Sequence, residues 1–211
     1  MQTTDLIERL ATDLRPTPHR AKWLAVAIFG GAVLALLLLW AFFGLRPDLA
    51  GAVLTSAFWM KWGFALAIAT AAFFLCARLA RPEGKAGWWP IGLLLPILTL
   101  GVVACVEMMA APQAERQMMW LGHTAVQCMW CIPLLAAPLL IAILWAFRFF
   151  APTRPRLAGF SAGLLAGAAA AVLYALHCDE TALAFVATWY SAGMLFPALL
   201  GFLIGPRVLR W

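Results

Sequence analysis

Six long, continuously apolar runs dominate this sequence: Trp23–Leu45, Ala57–Ala77, Trp88–Met109, Leu121–Ala146, Leu157–Leu176 and Ala182–Ile204. A helix needs about 20 apolar residues to cross the hydrocarbon core of a bilayer. Inside lipid the backbone must satisfy its own polar groups, so only helices and closed barrels span it. Barrel strands alternate polar with apolar residues, and these runs do not. The expected fold class is therefore all-α, a six-helix transmembrane bundle. Composition agrees. Of 211 residues 65% are apolar and 11% charged, with mean hydropathy +0.92. Soluble domains average about 45–50% and about 25%. That balance excludes a soluble enzyme or nucleic-acid-binding domain, and it excludes disorder. The length fits one domain.

The basic residues report orientation. Arg9, Arg15, Arg20 and Lys22 precede the first run, and Arg78, Arg81 and Lys85 follow the second. Arg148, Arg154 and Arg156 follow the fourth, and Arg207 and Arg210 close the chain. Only Arg46, Lys61 and Arg116 fall on the other side, a split of twelve to three. The positive-inside rule then places both termini in the cytoplasm. The expected organisation is a cytoplasmic segment 1–22, a membrane domain 23–205 and a cytoplasmic tail 206–211. The net charge of +6 reads mostly as a topology signal rather than as a nucleic-acid footprint. The first run exceeds a signal peptide's apolar region of about 7–15 residues, so it reads as a retained anchor. Trp23, Trp59, Trp62, Trp88, Trp89, Trp120 and Trp211 sit where an interfacial aromatic belt belongs.

Gly159, Gly163 and Gly167 recur every four residues in the fifth run, and Gly193, Gly201 and Gly205 keep a similar step in the sixth. Small residues at this spacing let helix backbones approach closely. Pro90, Pro96, Pro133, Pro138 and Pro197 should kink the third, fourth and sixth spans. The span interiors are nearly free of charge, which argues against a transporter or pump. Lys61 and Glu107 come nearest, both toward the outer ends.

Before the first span, Leu6, Ile7, Leu10 and Leu14 form an apolar stripe on a short amphipathic helix. Thr4 can cap it, and Pro16 and Pro18 end it. So short a helix needs something to lie against. Membrane-surface helices carry a Lys/Arg-rich polar face. Here Asp5, Glu8 and Asp13 stand against Arg9. That balance suits a groove on a basic partner protein, or packing on the chain's own bundle.

The five cysteines are Cys76, Cys105, Cys128, Cys131 and Cys178. Cys76 and Cys105 lie within spans and read as small buried apolar residues. Cys128 and Cys131 fall on one face of the outer part of span four, and Cys178 falls in the loop after span five. His123, His177, Asp179 and Glu180 share that side. Thiols and imidazoles favour soft ions such as zinc, copper(I) or cadmium, and thiols in an oxidising compartment form disulfides. Either event can pin span four to the fifth loop, which is the logic of a two-state switch.

The stretch Leu176-His177-Cys178-Asp179-Glu180, followed by Phe185, Trp189-Tyr190 and Gly193, resembles the last spans of NrsF-type proteins. The closing Leu209-Arg210-Trp211, the glycine-rich start of span five and the Leu6/Leu10/Asp13-Leu14 segment ending at Pro16 fit the same family. The resemblance implies a six-span anti-sigma factor of the bacterial inner membrane. It would hold an extracytoplasmic-function sigma factor and release it under heavy-metal or oxidative stress through two periplasmic cysteines. Carried over by residue, Cys178 is the second cysteine. The first is Cys128 or Cys131, with Cys128 favoured because Ile132-Pro133 follow it at the family spacing. The sensor set is then Cys128, Cys178 and Cys131, and the candidate metal ligands are Cys128, Cys178 and His177. The sigma-contacting residues are Leu6, Ile7, Leu10, Asp13 and Leu14. No resident cofactor is required; a heavy-metal ion such as cadmium or zinc is a transient inducer. The expected partners are the sigma factor and the lipid bilayer, with no direct nucleic acid and no catalysis. The alternative is a membrane thiol–disulfide oxidoreductase using the Cys128/Cys131 pair.

Overall fold

The computed structural model describes residues 20–81, 84 and 87–210. The amphipathic segment with Leu6, Ile7, Leu10, Asp13 and Leu14 lies outside them, as do Lys85 and Trp211. The described chain holds six helices long and apolar enough to cross a membrane. They are α1 (Arg20–Phe42), α2 (Ser56–Leu79), α3 (Trp89–Ala110), α4 (Ala125–Phe147), α5 (Pro155–Tyr174) and α6. The last runs Leu183–Phe185, passes through a π-helical turn at Val186–Tyr190 and continues as Ser191–Val208. Short helices at Leu49–Ala52 and Gln113–Leu121 precede α2 and α4.

The boundaries depart from the hydropathy reading where polar geometry intervenes. Span four starts at Ala125 rather than Leu121, because Gly122 adopts φ +59° and breaks the chain between two helices. Span one stops at Phe42, and Gly44 at φ +73° turns the chain away. Thr55 starts α2 by accepting the Phe58 amide on its hydroxyl, 3.4 Å away.

The helix at the centre is α5, which packs on α6, α2, α4 and α1. Its buried face is mostly alanine and glycine: Ala158, Ala162, Ala166, Ala168, Ala170 and Ala171 are fully buried. Small side chains let four neighbours crowd one helix. By contrast, α3 leans mainly on α2 and the start of α6, and it shows Ile91, Leu95, Leu98, Val102 and Val106 outward. In water that exposure is costly, whereas facing lipid tails it costs nothing.

The glycine steps serve packing, as expected. A Cβ on Gly159 would run into the Gly201 carbonyl, and one on Gly163 into the carbonyl of Pro197. Gly193 differs from its companions: it faces Ile132 of α4, not α5. Replacing Gly163 by Ala gains about 1 kcal/mol of helix propensity but forces two backbones apart, an overpacking cost of about 1–3 kcal/mol. Gly63, on α2, has open space where its Cβ would go. Gly163→Ala should therefore lower the thermal transition in detergent, while Gly63→Ala leaves it unchanged or raises it. Equal transitions would show that α5 and α6 do not need the close approach.

Candidate functional site

One end of the bundle gathers the end of α1, the start of α2, the end of α3, the start of α4 and the loop joining α5 to α6. The α5 helix ends at Tyr174, and two turn hydrogen bonds to its carbonyl, from His177 (2.9 Å) and Cys178 (3.0 Å), fold the loop back over the bundle. Cys178 is thereby buried at 2% exposure. Its sulfur lies 3.8 Å from the sulfur of Cys128, in the first turn of α4. Cys128 is fully buried and also meets the Tyr174 hydroxyl at 3.5 Å and the Thr124 hydroxyl at 3.7 Å. All five cysteines are free thiols. A disulfide needs sulfurs about 2.05 Å apart, so a small shift of the loop or of α4 suffices to join this pair.

The loop is held by cations. Lys61 of α2 is 2% exposed, and its ammonium donates to the carbonyls of Cys178 and Glu180, each at 2.8 Å. The same ammonium lies 5.8 Å from the centre of the Tyr190 ring. Arg46 donates a third bond, to the Cys178 carbonyl at 3.3 Å, and its backbone amide reaches the Leu176 carbonyl at 3.2 Å. Arg46 is itself held by a bidentate pair with Asp48, both contacts at 2.7 Å. Two cations from different elements thus converge on the carbonyl of one cysteine. The Cys178 thiol is pulled below its ordinary pKa. Its hydrogen bond with the Cys128 thiol is the main cause, and the Lys61 charge adds to it, while burial opposes both. A lowered thiol pKa means more thiolate, the form that attacks oxidants and binds metal.

The π turn of α6 carries Tyr190 to this centre. Its side chain is fully buried, and its hydroxyl lies close enough to interact with the Cys178 thiol. Such turns occur often at functional sites because they re-aim a side chain without ending the helix.

A family profile described as "NrsF: Negative regulator of sigma F" matches residues 10–211. The chain belongs to the NrsF family. It is 43% identical over 213 residues to the "Probable anti-sigma-F factor NrsF" of Azospira oryzae. It is 38% identical over 218 residues to the "Anti-sigma-F factor NrsF" of Caulobacter vibrioides. Both alignments cover the whole of each chain. No solved structure matches. The NrsF family is one of regulators, not enzymes.

Of the residues expected at the sensor of this NrsF chain, Cys128 and Cys178 come together. Cys131, at 7% exposure, stands one turn further along α4 beside the Tyr174 hydroxyl. The thiol that Cys128 meets is Cys178, across the bundle. His177 does not join the pair: its Nδ1 lies 3.1 Å from the Gly44 carbonyl, and its ring packs on Phe43 and Tyr174. His123 is exposed. Among the described residues no three His, Cys, Asp or Glu side chains are grouped to hold a metal ion.

The carboxylates on this side also have another task. Glu180 Oε1 accepts the amides of His123 (2.6 Å) and Thr124 (3.2 Å), capping the start of α4. Glu107 Oε2 accepts the Leu183 amide at 2.8 Å, capping the start of α6. Anionic side chains at helix N-termini satisfy orphan amides and favour the dipole. Lys61, read from the sequence only as an outer-end charge, is the central positioning group. A lysine near a span end usually reaches outward to the headgroups. Its inward course depends on carbonyls 117 and 119 residues away.

Proposed function

We propose that this chain is a membrane anti-sigma factor that retains an extracytoplasmic-function sigma factor and releases it when Cys128 and Cys178 react. The observation that carries the sensor half is the 3.8 Å thiol pair, which bridges α4 and the α5–α6 loop. The names of its relatives carry the sigma-factor half. The twelve-to-three basic split supports an orientation with both termini in the cytoplasm, where the sigma factor would be held, and the thiols outside a bacterial inner membrane.

Two chemistries fit the pair. A soft divalent ion such as cadmium binds both sulfurs as thiolates and displaces two protons. A peroxide takes two electrons and two protons from the thiols, forming one S–S bond and two waters. Each draws α4 toward the loop that Lys61 and Arg46 fix to the first two spans. Helices packed on α5 then shift together, and the cytoplasmic ends move. His177 is placed to brace the loop against Gly44, and Cys131 to act as a neighbouring thiol.

The N-terminal segment 1–22 is the sigma-contacting element, through Leu6, Ile7, Leu10, Asp13 and Leu14, and its acidic face suits a basic partner. Co-purification from native membranes in mild detergent, with bound proteins identified by mass spectrometry, tests this reading. A sigma factor should accompany the wild-type chain. Leu10→Asp/Leu14→Asp buries two charges in the apolar contact and should reduce the recovered sigma factor at least about tenfold, the equivalent of about 1.4 kcal/mol. A wild-type preparation without any sigma factor would overturn the reading.

A further inference from the structure

At the end of the bundle opposite the thiols, Arg156, Arg207 and Arg210 line one cavity of about 490 Å³. Arg156 is the second residue of α5, and Arg207 sits in the last turn of α6. Phe202, Leu203 and Pro206 form the remaining wall, and the Arg156 guanidinium lies 5.7 Å from the Phe202 ring. All three arginines are exposed to the surroundings of the protein.

Two simpler accounts leave this cavity unexplained. The positive-inside rule puts basic residues at this end but does not make three of them share a cavity. The dipole of α6 favours a cation at its C-terminus, which accounts for Arg207 but not for Arg156 at a helix start. Nor do the described residues supply counter-charges nearby. The chain has no Asp or Glu between Glu115 and Asp179, and none after Glu180. Those acids sit at or near the other end of the bundle. Among the described residues none of the three arginines forms an ion pair; the ion pair present is Arg46–Asp48.

We propose that this cavity binds the phosphodiester headgroup of an anionic phospholipid. Guanidinium forks match phosphate oxygens two at a time. Basic cavities between the ends of membrane helices are suited to acidic lipid headgroups. The depth selects a lipid over free phosphate. The arginines stand at the ends of two spans, where headgroups lie, and Phe202 and Leu203 are one turn further in, where an acyl chain begins. An occupied cavity ties the first turn of α5 to the last turn of α6.

Native mass spectrometry of the full chain in mild detergent tests the proposal. Phosphatidylglycerol and phosphatidylcholine with identical acyl chains are titrated separately. The wild type should bind phosphatidylglycerol at least tenfold more tightly than phosphatidylcholine. Arg156→Gln/Arg207→Gln/Arg210→Gln should remove that preference, while Arg156→Lys/Arg207→Lys/Arg210→Lys, which keeps the charge but loses the fork, should keep part of it. Arg148→Gln alters a basic residue at the same end outside the cavity and should bind as wild type. Inorganic phosphate at millimolar concentration should not displace the lipid. Equal loss in Arg148→Gln, or no preference in a folded wild type, overturns the site. Displacement by inorganic phosphate would reassign it to a free anion. An Asp5→Asn/Glu8→Gln/Asp13→Asn variant that binds lipid several-fold more tightly would make the chain's own acidic segment the occupant. A sigma factor lost by the Gln variant while lipid binding stays unchanged would make the occupant a protein.

Discussion

Replacing Lys61 by Met should loosen the α5–α6 loop and slow the joining of Cys128 to Cys178. The methionine stem fills the same space but donates nothing. The Glu180 carbonyl then loses its Lys61 bond, and the Cys178 carbonyl keeps only the longer bond from Arg46 at 3.3 Å. Each buried carbonyl left without a donor costs about 1–3 kcal/mol. A surface lysine pair is worth only about 0–1 kcal/mol, so the cost distinguishes this lysine from the other basic residues. The two sulfurs are held 3.8 Å apart by that loop. A loosening of about 1.4 kcal/mol in their positioning lowers the rate of oxidative cross-linking about tenfold. The measurement is the diamide-induced cross-link between Cys128 and Cys178, followed by gel shift, beside the thermal transition in detergent. Lys61→Arg keeps a cation with several donors and should recover part of the rate. A Lys61→Met protein that cross-links at the wild-type rate would mean that Arg46 and the turn hydrogen bonds fix the loop alone.

The same lysine shows where reading the sequence stops. Span number follows from hydropathy because each helix must bury its own backbone polar groups in lipid, a local requirement visible in any 20-residue window. The glycine steps of α5 and α6 are legible for a related reason, since a four-residue period is a helical face. Cys128, Cys131 and Cys178 stand out because thiols are rare and these three fall toward the same end of their spans; the choice of Cys128 over Cys131 comes from the family resemblance. The roles of Lys61, Glu107 and Glu180 depend on which backbone atoms the bundle brings beside them, and no window contains that. Glu180 stands two residues from Cys178 in the sequence; in space its carboxylate caps α4, 56 residues and more away. His177 adjoins Cys178 in the chain, but the loop turns its ring to Gly44. The π turn leaves no hydropathy mark, although it brings Tyr190 to the thiols.

Cys128→Ser/Cys178→Ser should retain the sigma factor and fail to release it under cadmium. Serine is nearly the same size as cysteine, so the fully buried Cys128 site leaves no cavity to destabilise the bundle. Hydroxyls neither bind soft metal ions nor form disulfides, so both proposed inputs disappear together. Wild-type and variant membranes are treated with cadmium or peroxide, and the sigma factor that co-purifies is quantified. The wild type should lose at least about nine-tenths of it, a shift that requires a differential affinity of about 1.4 kcal/mol or more between the two states. The double variant should lose none. Cys131→Ser separates the two thiol arrangements. If Cys128 and Cys178 are the switch, this variant responds as wild type, because its thiol stands one turn away beside Tyr174. If Cys131→Ser is silent to cadmium but answers peroxide, the metal takes three sulfurs and the disulfide two. Release from the double variant at the wild-type level would move the sensor away from this end of the bundle altogether.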